Sequence, residues 1–279
     1  MKICFWNTAR KTNVDLVARL CHLRVIDVLV LAECSAPLHS LLQALNQGQE
    51  SIYYADSTPG LTKKLTILTR LLPGQVRSVR DTGDVAIREL RPPIEEPLLL
   101  VALHLPSRLY YSEDDLASLC PGFVRVIRDA EVNVGHQRTV VIGDFNMSPF
   151  EAGMIGATGF HAVMDRRVAS RRMREVRGQD CYFFYNPMWS KMGDFGPEPP
   201  GTYFYDGGKP VTMYWHVFDQ LLVRPSLAMS FQPDDIAIVT SIGTHRLTME
   251  ANARPDHSVS DHLPLVANIA EIQEVPNGR

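Results

Sequence analysis

The chain has 279 residues, 45% of them hydrophobic and 21% charged, with 18 Gly and 19 Pro; this excludes disordered and fibrous classes and is ample for a large buried core. The 28 basic and 31 acidic residues leave a formal charge of -3, so no global field draws the protein to nucleic acid or to an anionic membrane, and an anionic substrate requires a local positive patch or a metal ion. Cys4, Cys21, Cys34, Cys120 and Cys181 are scattered, odd in number and without a C-x-x-C pair, which disfavours a disulfide framework or a zinc site and suits reduced thiols in a cytosol.

The first residues, Met1 to Asn7, turn polar too soon for a signal peptide, and no later run approaches a membrane span, so a soluble, unprocessed cytoplasmic protein without stable membrane association is expected. Ile3 to Trp6 reads as a strand ending at Asn7, and Leu16, Val17 and Leu20 recur at helical spacing behind it. Asp27 to Ala32 is a continuous apolar run, the pattern of a strand covered on both faces, and it stops at Glu33. Leu38, Leu41, Leu42 and Leu45 predict an amphipathic helix. Ser51 to Ala55, Lys64 to Thr69, Val76 to Val79 and Val85 to Leu90 predict shorter strands between turn residues. Leu98 to Leu103 is a second two-sided strand and ends at His104.

Ser112-Glu-Asp-Asp signals a helix start, and the helix to about Asn133 is expected to break or kink at Pro121-Gly122. Val140-Val141-Ile142 leads through Gly143 into Asp144-Phe145-Asn146. On an extended backbone Asp144 and Asn146 point the same way and could both address one small group such as a water; the competing reading is a plain turn, where Asp and Asn are common. From Ser148 to Gly208 the sequence is irregular, with Gly, Pro, an arginine-dense stretch and aromatics, the composition of long specificity loops. Trp215 to Val223 and Ile236 to Val239 resume strand character, and Leu263 to Ala267 follows Ser260-Asp261-His262 as the closing strand. No repeat or linker divides the chain, so one domain over 1–273 with a frayed tail at 274–279 is expected.

Six polar clusters thus stand at the ends of apolar runs: Asn7, Glu33, His104, Asp144 with Asn146, Asp219, and Asp261 with His262. Strands ending in acids, amides and histidines imply a shared pocket. Carboxylates and carboxamides without thiolates suit a hard cation, Mg²⁺ or Mn²⁺, whose remaining positions go to water and substrate phosphate. That is the setting of phosphate-ester hydrolysis.

The ordered series Trp6-Asn7, Leu31-Ala32-Glu33, His104-Leu105-Pro106, Gly143-Asp144-Phe145-Asn146, Phe218-Asp219 and Ser260-Asp261-His262-x-Pro264 resembles the endonuclease/exonuclease/phosphatase superfamily over nearly the whole chain. The resemblance implies an α/β (α+β) fold, a four-layered α/β/β/α sandwich with two mixed β-sheets face to face and helices outside. It implies Glu33 as principal metal ligand beside Asn7, with Asp261 binding a metal directly or through water. It further implies Asp144 as the base for the attacking water and Asn146 as its positioner. His262, held by Asp219, would stabilise the phosphate, and His104 would donate to the phosphate or assist the leaving group. Ala9, His104 in place of a tyrosine, and Trp215-His216-Val217-Phe218-Asp219 in place of a Trp-Arg-x-Asp pattern depart from many apurinic endonucleases and weigh against abasic-site repair.

The implied activity is a divalent-metal-dependent phosphodiesterase, with a nuclease acting on DNA or RNA as the leading expectation. A phosphatase or phosphodiesterase for a small or lipid phosphate is the runner-up, and a non-catalytic interaction module the third reading. Arg166, Arg167, Arg171, Arg172, Arg174 and Arg177 stand just before Tyr182 to Tyr185. Cations interleaved with rings suit single-stranded nucleic acid, which makes Arg166, Arg167, Arg171, Arg172 and Trp215 candidate substrate contacts. The competing reading is a solvated face balanced by Asp165, Glu175 and Asp180, with the rings in the core.

Overall fold

A computed structural model describes residues 1–56, 64–208, 210, 212–229, 231–249 and 253–269; the tail expected at 274–279 lies outside them. The continuous apolar runs become the central strands of two mixed sheets. In the six-stranded sheet the order is Ile236–Ile238, Leu265–Asn268, Lys2–Asn7, Val28–Ala32, Leu65–Thr69, Tyr54–Ala55. The seven-stranded sheet runs Val76–Asp81, Val85–Leu90, Leu98–His104, Thr139–Asp144, Asp219–Val223, Phe184–Tyr185, Ala162–Val163.

Side-chain alternation along these strands divides the interior in two. Leu98, Leu100, Ala102, Val140 and Ile142 join Ile3, Phe5, Val28 and Val30 in the core between the sheets, and Val17, Leu20, Leu41 and Leu45 of the Val14–Arg24 and Leu38–Asn46 helices belong to the same cluster. Leu99, Val101, Leu103 and Val141 face the other way, onto Leu116, Cys120, Ile127 and Ala130 of the Glu113–Val134 helix. A strand apolar on both faces is thus one covered by a sheet on one side and a helix on the other. The architecture is the four-layered α/β/β/α sandwich.

Three elements differ from expectation. The Glu113–Val134 helix runs through Pro121 without ending. Its start is fixed by a capping box between Ser112 and Asp115, its buried stripe continues on both sides, and Pro121 is exposed, so the carbonyl it deprives of a partner lies toward water. The run from Trp215 to Val223 is not one strand: Trp215–His216 pairs with Tyr203–Phe204 in a separate ribbon, and only Asp219–Val223 enters the large sheet. Within 148–208 the arginine-dense stretch forms a short helix, Arg166–Ala169, and a hairpin, Met173–Val176 with Gln179–Tyr182.

Opposite the strand end that carries Asp144, the sheet is tied down by a buried ion pair. Arg224 reaches both carboxylate oxygens of Glu131 at 2.8 and 3.1 Å, and Thr139 donates its hydroxyl to Glu131 Oε1 at 2.7 Å. Both charged groups are buried, so each depends on the other. Glu131→Ala is expected to destabilise the fold by about 3–5 kcal/mol, read in urea denaturation, because it strands the Arg224 guanidinium without its counter-charge.

Candidate active site

Strand register builds the site. Leu98–His104 and Thr139–Asp144 pair in parallel with His104 opposite Asp144, and Asp219–Val223 pairs antiparallel with Asp219 opposite Asp144. Three polar residues therefore stand level across three adjacent strands. In the other sheet Asn7 is opposite Ala32, so Glu33 emerges beside it. Gly143 is required by the close fit of this row: a Cβ there would lie 2.0 Å from the Leu103 carbonyl oxygen.

The chain turns sharply where it delivers these groups. Glu33 and Asn146 have φ of 47° and 51°, the left-handed region that non-glycine residues rarely occupy and that clusters at functional sites. The extended backbone expected through Asp144 and Asn146 is replaced by a side-chain turn, in which the Asn146 N–H donates to Asp144 Oδ1 at 2.9 Å. Turn and site are thus the same feature. Asn146 Nδ2 donates to the Leu105 carbonyl at 3.0 Å, which fixes which end of the carboxamide is a free acceptor.

Asp144 is the hub. Asn7 Nδ2 donates to its Oδ2 at 3.1 Å, and the same oxygen lies 3.8 Å from His104 Nε2 and 3.9 Å from His262 Nε2. His104 Nε2 is also 3.4 Å from Glu33 Oε1, so it stands between two carboxylates. Glu33 is the most open of the group, with 31% of its side chain exposed and its second oxygen 3.3 Å from Arg10 Nε. Asp261 is half-buried beside this group.

His262 Nδ1 bonds Asp219 Oδ2 at 2.8 Å. Burial alone lowers the His262 pKa, but the charge of Asp219, its hydrogen bond, and the nearby Asp144 and Asp261 carboxylates reverse this and push it up to about 10. Burial acts on the Asp219 carboxyl in the opposite sense to its partner, raising its pKa against the pull of the His262 charge. The short bond between groups that each need a counter-charge favours the imidazolium–carboxylate pair. Asp144, Asp219 and His262 bring ligand atoms within 4.8 Å of one another. However, His262 Nδ1 is committed to Asp219, so these two form a hydrogen-bonded relay whose free Nε2 stands 3.9 Å from Asp144 Oδ2. Hard oxygen donors of the kind Mg²⁺ or Mn²⁺ takes are present at the partly exposed Glu33 and Asp261 and at the buried Asn7.

Several residues support the site in ways that the sequence did not assign to them. Ser260 donates its hydroxyl to the Asn7 carbonyl at 2.7 Å and accepts the His262 N–H at 3.1 Å, while Trp6 Nε1 donates to the His262 carbonyl at 3.1 Å. Thr202 Oγ1 accepts the Asp219 N–H at 3.1 Å from 17 residues away. Arg108 pairs with buried Glu151 at 2.5 Å. Tyr203 forms a bridge to His262 with ring centroids 4.7 Å apart, and burial, then the Asp261, Tyr205 and Asp144 groups, push its phenol up to about 12, leaving it a neutral donor.

The candidate substrate contacts are not brought here. Trp215 pairs with Phe204 and packs edge-on against it at 5.2 Å, on the ribbon face opposite Tyr203 and His216. It is His216 that stacks on Phe218, at 4.6 Å. Arg166 is spent on structure, donating to the Phe231 carbonyl at 2.9 Å and covering the Tyr185 ring at 5.6 Å. Arg167, Arg171 and Arg172 lie on the same segment. Arg172 borders a cavity with Gln137, which precedes the start of the Thr139–Asp144 strand, so the cluster is at the strand end away from Asp144. Phe183, Phe184 and Tyr185 are buried core.

The sequence matches no protein-family model and no curated protein. Similarity appears in three dimensions. An endonuclease/exonuclease/phosphatase family protein from Leptotrichia buccalis superposes with a TM-score of 0.57 at 12% identity, over 97% of this chain and 100% of its own. An AP endonuclease from Archaeoglobus fulgidus gives 0.54 at 14% identity, again over 97% and 100%. A 3'-5' exonuclease from Neisseria meningitidis gives 0.53 at 18% identity with the same coverage. With two mixed sheets, outer helices and end-to-end superposition on such structures, this chain has the endonuclease/exonuclease/phosphatase fold.

Proposed function

We propose that the chain is a divalent-cation-dependent phosphodiesterase that hydrolyses a nucleic-acid backbone by attack of water on phosphorus. The observation that carries this reading is the convergence on one oxygen, Asp144 Oδ2, of Asn7 Nδ2, His104 Nε2 and His262 Nε2, with Asp219 behind His262. Asp144 takes the proton of the attacking water, and the free carbonyl of Asn146, turned by its bond to Leu105, accepts the water's other hydrogen. His262, kept charged by Asp219, donates from Nε2 to a non-bridging phosphate oxygen as charge grows there. His104, poised between Glu33 and Asp144, donates to the phosphate or to the departing oxygen.

The donor set fits a hard cation held by Glu33, Asn7 and Asp261, with Glu33 open to solvent and all of the donors oxygen. When bound, Mg²⁺ or Mn²⁺ supplies charge neutralisation at the phosphoryl oxygens. Glu33→Ala is expected to weaken Mn²⁺ binding at least tenfold in calorimetric titration, while leaving the fold intact, since the side chain's exposed pair with Arg10 contributes little. Unaltered metal affinity would remove Glu33 as a ligand.

One feature favours a lipid or other apolar phosphate ester as a second reading. Leu109 and Tyr110, directly after Arg108, are more than 80% exposed, and Phe195 of the glycine- and proline-rich segment is fully exposed. A metal-supplemented hydrolysis screen across oligonucleotides, nucleotides, inositol phosphates and phospholipids, with an Asp144 variant as control, decides between them. Cleavage of a phospholipid with oligonucleotides left intact would overturn the nuclease reading.

A further inference from the structure

The arginine-dense segment carries charge that no carboxylate neutralises among the described residues. Residues 165–182 contain six arginines and three acids, a surplus of positive charge in a chain whose net charge is negative. Among the described residues none of the six arginines pairs with a carboxylate. Asp165 is occupied in capping, accepting from the N–H groups of Arg167 and Val168, and Glu175 stands opposite Asp180 across the hairpin. Arg166 and Arg174 are tied to Phe231 and His161, whereas Arg167, Arg171, Arg172 and Arg177 are exposed. Concentrated like charge disfavours a compact segment unless an anion is drawn to it.

Beside this surface is a cavity of about 300 Å³, bordered by Arg172, Ser170, Tyr182, Gln137, Ser226 and Pro225. Tyr182 is half-buried and carries the Arg128 guanidinium 4.7 Å over its ring. A cation for phosphate, small hydroxyls and an aromatic ring in one recess match the contacts a single strand seeks. From the level of Thr139 to that of Asp144 the strand spans about 17 Å, or about five nucleotides at stacked spacing.

We propose that this basic face is a second contact for single-stranded nucleic acid, distinct from the candidate active site, which grips a strand about five nucleotides from the bond being cut. The proposal rests on the nucleic-acid reading of the active site. Arg167, Arg171 and Arg172 meet phosphates and Tyr182 offers its ring to a base. Substrates too short to span the two sites gain nothing from it.

The test measures anisotropy of labelled single strands of about 4 and about 16 nucleotides in EDTA, which prevents hydrolysis, with the whole chain and an R167A/R171A/R172A variant. The longer strand is expected to bind the parent protein at least tenfold more tightly than the shorter. The variant loses that gain and its log–log salt slope falls by about 2, at about 0.7 per phosphate contact. Its affinity for the short strand moves less than twofold, its unfolding temperature matches the parent's, and the triple lysine counterpart retains long-strand binding. Retention of long-strand affinity and slope by the alanine variant would overturn the proposal. If the parent cleaves oligonucleotides but binds long and short strands alike, the second contact alone is wrong. If it neither binds nor cleaves any, the nucleic-acid reading fails and takes the second contact with it.

Discussion

Asp144→Asn is expected to lower kcat by about 10²- to 10⁴-fold, the range for losing a positioned general base. The substitution keeps shape and removes basicity, but it is not silent for the fold. Both carboxylate oxygens already accept hydrogen bonds, Oδ1 from the Asn146 N–H and Oδ2 from Asn7 Nδ2. An amide at 144 therefore sets a donor against a donor whichever way it turns. Turning Asn7 over to compensate would break the bond that its Oδ1 accepts from the Ala9 N–H at 3.0 Å. A stability loss of about 1–3 kcal/mol should accompany the kinetic loss, separable by measuring kcat well below the unfolding transition. Full turnover in a folded Asp144→Asn protein would remove this residue as the base.

The same crowding explains what was legible in the sequence. The buried strands could be read because their two-sided apolar runs, such as Leu98 to Leu103 and Val140 to Ile142, leave no polar face to place in water. Their ends could be read because a polar residue that interrupts such a run must be satisfied somewhere. What a strand end does next is not encoded in periodicity. The left-handed turn at Glu33, which aims its side chain, follows from the tertiary fit and gave no local signal, whereas the one at Asn146 is the turn that Asp and Asn already suggested. Pro121 misled for a related reason: a helix breaker matters less when it faces solvent and the stripe on the other side is anchored in a core.

Proximity across the chain was the other blind spot. Arg166 to Arg177 and the rings after them are adjacent in sequence, and adjacency suggested a substrate contact. Strand direction separates the two places, because a segment that packs near the start of the Thr139–Asp144 strand stands the strand's length away from Asp144, so a contact made there is not one with the reacting phosphate. Trp215 is turned away from Tyr203 by alternation, since its neighbour His216 takes the face shared with Tyr203. Thr202 was invisible because its bond to Asp219 crosses 17 residues of irregular chain.

His262→Ala and Asp219→Ala should each lower kcat by about 10²- to 10³-fold, and the double variant should be no slower than the worse single. Asp219 is fully buried and touches the reaction only through His262 Nδ1 at 2.8 Å, so the two groups act as a unit and their losses do not add. Stability should behave differently. Removing His262 leaves the Asp219 carboxylate buried without its cation, and removing Asp219 leaves a buried imidazole whose Nδ1–H has lost its acceptor, each costing about 3–5 kcal/mol. Deleting both removes the stranded charge, so the double variant should unfold at higher urea than the His262→Ala protein. Asp219→Asn separates orientation from charge, because the amide oxygen can still accept from Nδ1–H while the carboxylate that keeps His262 protonated is gone. Its kcat should fall between parent and Asp219→Ala, with the deficit growing as pH rises and the imidazole loses its proton. Additive kinetic losses in the double variant, or a pH-independent deficit in Asp219→Asn, would mean that His262 acts without Asp219 and that the relay assignment is wrong.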